Sequence, residues 1–211
     1  MIEVVPSIPT NNPEELNRAF EQTEGVTERI SIDIIDGKFA NNKTIDPSIV
    51  GDIETDLKID FQLMVVEPIN WVERCIRGQA DRIIGHVEHM SDQIAFIGKV
   101  QEAGLLVGLG INMETPVGKI DKSLINSLDV VLLMSIDRVG FGGEKFDDAV
   151  FKKIQELNEI RKNDTTPFRI HIDGGVVPDK MDKLKKLGVD EVSIGTRIFA
   201  GDLAGNLANY K

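Results

Sequence analysis

One cysteine, three histidines, one tryptophan and one tyrosine are all that 211 residues hold of these types. A lone Cys75 cannot close a disulfide within the chain, which favours a reducing compartment and a cytoplasmic location. Long apolar runs are missing too. The longest, such as Val130 to Met134, are strand-sized and far short of the roughly 18 residues that span a bilayer. The start, Met1-Ile2-Glu3-Val4-Val5, lacks a basic segment and carries an early acid, unlike a secretory leader. Positive charge is scarce: 24 Lys and Arg stand against 35 Asp and Glu, a net charge of −11. That balance argues against nucleic acid or an anionic membrane as the main partner. Three histidines leave little material for a histidine-rich metal site.

What is present is a regular alternation. Strand-like stretches lie at 2–8, 29–35, 58–65, 82–87, 105–111, 129–136, 168–173 and 191–194. Helical spacing fills 13–22, 69–77, 92–103, 146–160 and 178–187. Asn12 before Pro13-Glu14-Glu15, Ser91 before Asp92, and Pro178-Asp179 after a glycine pair mark helix starts; Gly104 and Gly188 mark ends. Eight strands give about 26 residues per unit, which suits a repeated strand–helix module in one domain spanning 1–211. The count of eight, with no GxGxxG after the first strand, favours a closed (β/α)8 TIM barrel over an open doubly wound sheet.

In such a barrel, function sits at the C-terminal strand ends. There the chain places Ser7, the Ser31-Ile32-Asp33 run, Gln62 and Met64, His86 and Glu88, Gly140-Phe141-Gly142-Gly143, Asp173-Gly174-Gly175 and Gly195-Thr196. One glycine pair is most simply a tight turn. Three glycine-rich loops after consecutive strands point instead to phosphate bound by backbone N–H groups, with a helix expected just beyond strands seven and eight. The stretch 140–143 is flexible enough to act as a lid. Asp33 and Asp173 end strands two and seven, from where two carboxylates can serve opposite faces of one carbon.

These residues resemble the ribulose-phosphate 3-epimerase family. Val5-Pro6-Ser7-Ile8, Ser31 to Phe39 with Asn42, Gln62-Leu63-Met64-Val65 with Pro68, His86-Val87-Glu88, Val131 to Ser135, Gly140 to Gly143, Ile172 to Gly175 and Gly195-Thr196 follow the family's order. The resemblance implies a (β/α)8 barrel that inverts one carbon of a phosphorylated ketose, such as ribulose 5-phosphate, in pentose phosphate metabolism. It implies Asp33 and Asp173 as the acid/base pair. Ser7, Met64, Gly140, Phe141, Gly142, Gly143, Gly174, Gly175, Gly195 and Thr196 are the implied substrate-binding residues. It further implies a homo-oligomer, and a divalent metal on two histidines and the two aspartates.

Here the chain departs from the pattern. Ser31 and Gln62 stand at the two histidine positions, Val139 replaces a proline before the glycine loop, and Glu144 replaces a glutamine after it. The remaining oxygen donors are poor for zinc and suit a weakly held Mg²⁺ or Mn²⁺, or a metal-free site. His171 is expected one layer below Asp173 as a core histidine, His86 as a pocket wall or a residue just behind it, and His89 in solvent. Three readings follow: a working epimerase, a non-catalytic sugar-phosphate binder, and a related lyase suggested by Asp56-Leu57-Lys58-Ile59-Asp60.

Overall fold

The computed structural model describes residues 1–162, 164 and 166–210. Eight parallel strands pair in sequence order and close on themselves: β1 (Glu3–Ile8), β2 (Arg29–Ile35), β3 (Lys58–Met64), β4 (Arg82–His86), β5 (Leu106–Ile111), β6 (Val130–Met134), β7 (Arg169–Asp173) and β8 (Glu191–Ile194). Their Val- and Ile-rich runs are buried on both faces, as a parallel sheet covered by helices requires. One face packs on α1 (Pro13–Thr23), α2 (Val72–Arg77), α3 (Gln93–Glu102), α4 (Val150–Arg161), α5 (Pro178–Lys186) and α6 (Leu203–Ala208), forming the large outer core. The other face fills the barrel, where Ile35, Met64, Ile84, Val130, Leu132, Met134, Ile136 and Val139 form a separate apolar cluster. The expected (β/α)8 barrel is therefore the fold. Among the described residues no helix is long and apolar enough to cross a membrane.

Local chemistry explains the helix ends. Asn12 caps α1 by accepting the Glu14 N–H at 2.9 Å, and Pro13 occupies the first turn, where its missing N–H costs nothing. Gly104 and Gly188 adopt positive φ of 74° and 75° just past α3 and α5. Ser91 is not the cap of α3: the Asp92 carboxylate takes the Ala95 N–H at 2.9 Å. The helix expected from 146 begins at Val150, because Asp147 donates its N–H to Ser135 and caps Ala149, holding this stretch against the end of β6. Pro68–Trp71 form a 3₁₀ turn before α2, and only a 3₁₀ helix, Pro47–Asp52, follows β2. No helix directly follows β8. Thr196–Phe199 form a turn closed by the Ile198 N–H on the Gly195 carbonyl, and α6 starts later.

The N-terminal end of the barrel is closed by charge. Arg82, 2% exposed, lies between Asp60 and Glu191, and Arg29 pairs with Asp60. His171 joins this layer, with Nδ1 at 2.8 Å from Glu191 and Nε2 at 2.8 Å from the Ser193 hydroxyl. It is the core histidine expected from alternation. These pairs seal one end and leave the other for chemistry.

Candidate active site

Strand register sets the site. Asp33 on β2 is the direct partner of Gln62 on β3, and Met134 on β6 is the partner of Asp173 on β7. Alternation turns all four into the barrel near its C-terminal mouth. The cleft there is lined by Ser7, Asp33, Met64, Gly140, Phe141, Gly142, Gly143, Asp173, Gly174, Gly175, Gly195 and Thr196, so the structure brings together the catalytic and substrate-binding candidates read from the sequence. Glycine is required at the β7 loop: a Cβ on Gly174 would meet Ile136 at 2.7 Å, and one on Gly175 would meet the Phe146 nitrogen at 2.5 Å. Both also have positive φ, which leaves this backbone bare at the mouth of the cleft.

Asp33 and Asp173 are both buried, and their environments differ. Burial and the neighbouring Asp173 carboxylate push the Asp33 pKa well above the carboxylate range. Burial also raises Asp173, but His171, the Gln62 amide, His86 and the Gly174 N–H all oppose the rise. Burial and mutual repulsion thus favour a single proton held on the pair. Asp33 Oδ1 is buried with no hydrogen-bond partner among the described residues, an acceptor that a ligand hydroxyl would satisfy.

Gln62 stands beneath this pair, fully buried. Its Nε2 lies 3.1 Å from Asp173 Oδ2, 3.3 Å from His86 Nε2 and 3.4 Å from Met134 Sδ. His86 Nδ1 is 3.4 Å from Glu88 Oε2. Burial raises the Glu88 pKa, but its interaction with His86 and the Asn112 N–H bring it down to about 2. The nearby Glu88 carboxylate favours the tautomer with the proton on Nδ1, in which Nε2 accepts from Gln62. Phe39 packs edge-on against His86 and against the exposed His89, both with centroids 5.3 Å apart. Asn42 donates to the Gly140 carbonyl at 2.6 Å, tying the β2 loop to the glycine loop.

The donor set lacks the two imidazoles of the ion site that the resemblance implies, because Ser31 and Gln62 stand in their places. Among the described residues no three His, Cys, Asp and Glu side chains converge as a metal site. Ser31 is buried one alternation step below Asp33, level with Ser7 and Asp60 in the sheet. Gln62 turns its nitrogen, which has no lone pair to give, toward Asp173. Zinc lacks here the nitrogen ligands it prefers, while the Asp33 and Asp173 carboxylates and Gln62 Oε1, unpartnered among the described residues, are oxygen donors of the kind Mg²⁺ and Mn²⁺ take.

Ile136, Glu144, Ser193 and Arg197 also line the cleft, and sequence reading did not single them out as binding residues. Ser193 was within reach of it, since alternation places it between Glu191 and Gly195. Arg197 was not, because it sits on the exposed turn after β8. The Asp56–Asp60 stretch lies elsewhere: Lys58 is exposed at the start of β3, and Asp60 belongs to the sealing ionic layer. That motif faces the wrong end of the barrel for a lyase site.

Comparison with known proteins agrees with this geometry. Residues 3–199 match the model of the ribulose-phosphate 3 epimerase family. The chain is 32% identical over 203 residues to the ribulose-phosphate 3-epimerase of Bacillus subtilis (strain 168), covering 94% of this chain and 93% of that one. It is 32% identical over 214 residues to the chloroplastic ribulose-5-phosphate-3-epimerase of Arabidopsis thaliana, covering 99% and 75% respectively. Among solved structures, KGPDC from Streptococcus mutans superposes with a TM-score of 0.72 at 11% identity, over 100% of this chain and 95% of that one. The 3-keto-L-gulonate-6-phosphate decarboxylase of Vibrio cholerae O1 biovar El Tor str. N16961 gives 0.72 at 12%, over 100% and 96%. At such identities these two structures speak for the fold alone. With its barrel, its paired aspartates and its glycine loops in family order, the chain belongs to the ribulose-phosphate 3-epimerase family.

Proposed function

We propose that this protein binds a phosphorylated ketose, of which ribulose 5-phosphate is the first to test, and inverts the carbon next to its carbonyl. The observation that carries the reading is the pair Asp33 and Asp173, buried on β2 and β7 and both lining one cleft. The ionised Asp173 removes the proton from that carbon, and the bond's electron pair moves onto the carbonyl oxygen, giving an enediolate. Asp33, protonated, returns a proton to the other face of the carbon as the carbonyl re-forms. One acid has gained a proton and the other has lost one, so the reverse reaction begins with their roles exchanged. Positioned acid–base groups of this kind contribute about 10² to 10⁴ in rate. The phosphate is held at the bare loops Gly174-Gly175 and Gly195-Thr196, with Arg197 adding the cation that an acidic protein otherwise lacks at this mouth.

A second reading is favoured by Ser31 and Gln62, which stand where the family has metal-binding histidines: a sugar-phosphate binder without turnover. Deuterium exchange at the carbon next to the carbonyl of ribulose 5-phosphate in D₂O separates the two. Exchange supports the epimerase. Tight phosphate-dependent binding with no exchange supports the binder.

A further inference from the structure

The amide of Gln62 is the feature of this barrel that the acid–base pair alone leaves unexplained. It is fully buried and does not line the cleft, yet its nitrogen is within hydrogen-bond distance of Asp173 and of His86. Its orientation is dictated from both sides. An amide oxygen turned toward the Asp173 carboxylate would face like charge, and Glu88 Oε2, 3.4 Å from His86 Nδ1, favours the imidazole tautomer whose Nε2 carries the lone pair. Space for the imidazole comes from β5, where a Cβ on Gly110 would lie 2.9 Å from the His86 ring. The edge of Phe39 closes the other side. Gln62 is therefore held through its nitrogen, while its Oε1 is buried with no hydrogen-bond partner among the described residues.

Resting on the function proposed above, we infer that Gln62, steadied by the His86–Glu88 pair, is a positioning residue that holds Asp173 by hydrogen bonding. The two aspartates then work without a divalent ion. A ligated cation would orient Asp173 and polarise the oxygens around it. Here a neutral N–H donor supplies the orientation, and the preorganised dipoles of the site stand in for the rest.

The test uses the whole chain, stripped with a chelator and assayed for deuterium exchange into ribulose 5-phosphate with and without added Zn²⁺ or Mn²⁺. Gln62→Met and Gln62→Glu run alongside. Both keep the volume, so a space-filling role leaves them near wild type. The exchange rate of the natural protein is expected to be the same within about twofold with or without metal. Gln62→Met is expected to lose about 30-fold in kcat with KM nearly unchanged, and Gln62→Glu to lose more, because it sets a second carboxylate against Asp173. Loss of exchange on chelation with recovery on adding metal overturns the inference, as does a Gln62→Met protein at wild-type rate.

Equilibrium dialysis with Zn²⁺ and Mn²⁺ gives a readout that does not depend on turnover. No stoichiometric ion on the natural chain, and one gained by the Ser31→His/Gln62→His protein, supports the inference. A stoichiometric ion on the natural chain overturns it. Should no exchange occur under any condition, the epimerase reading falls and takes the positioning role of Gln62 with it, while the dialysis result still decides whether the site holds a divalent ion.

Discussion

Gly110 makes room for His86: a Cβ on this glycine would sit 2.9 Å from two atoms of the imidazole, closer than real contacts allow. The ring it admits is the one that the Gln62 amide leans on. Gly110→Ala is therefore expected to displace His86, loosen Gln62 and slow proton transfer about tenfold, with KM little changed. Steady-state kinetics on ribulose 5-phosphate checks this. A kcat equal to that of the natural protein contradicts the role given to His86.

Asp33 carries a cost to the fold that its substitution should reveal. A carboxyl whose pKa is raised on folding binds its proton more tightly folded than unfolded. Stability therefore falls as pH climbs from the ordinary value of 3.8 toward the folded one, and the full penalty stands above it. Asn at this position cannot ionise. Asp33→Asn is expected to be more stable than the natural chain at neutral pH by about 1–3 kcal/mol, while losing activity. The gain should vanish below about pH 4. Urea unfolding across pH, followed by the single Trp71, measures it, and a variant less stable at neutral pH overturns the account.

Arg197 reaches the cleft from the turn after β8 and forms no ion pair among the described residues. Removing an exposed cation from an anion site weakens binding modestly. Arg197→Ala is expected to raise KM for a phosphorylated ketose about fivefold, with a smaller change in kcat, and the effect should shrink as salt rises. An unchanged KM at low salt places the phosphate elsewhere.

Arg82 joins Asp60 and Glu191 inside the sealed end of the barrel. Burying three charges is worthwhile only as a set, because each alone has lost its water. Arg82→Met leaves both carboxylates short of a partner, and a loss of about 3 kcal/mol or more is expected in urea unfolding. A loss below about 1 kcal/mol would show that Arg29, Arg169 and His171 hold the acids unaided.

How much of this the sequence discloses depends on the kind of interaction. The eight strands are legible because Val and Ile runs such as 130–134 and 29–35 need burial on both faces, and the observed limits fall within two residues of the expected ones. Connections held by single hydrogen bonds are not legible. The stretch 146–149 has helical spacing, but the Asp147 bond to Ser135 keeps it out of α4. The aspartates and glycine loops stand at strand ends, where alternation alone places them. The direction of the Gln62 amide is different. It follows from His86 at the end of β4, Glu88 in the turn after it and Gly110 on β5, contacts that no local pattern encodes.

The central claim is that Asp33 and Asp173 exchange a proton with one carbon of a phosphorylated ketose. Proton NMR of ribulose 5-phosphate in D₂O, with the natural protein, Asp33→Asn and Asp173→Asn, tests it most directly. The account predicts loss of the proton signal next to the carbonyl with the natural protein. It predicts exchange slowed by about a thousandfold or more in Asp173→Asn, and loss of the inverted product in Asp33→Asn. No exchange by the natural chain, or exchange by Asp173→Asn at the natural rate, contradicts it.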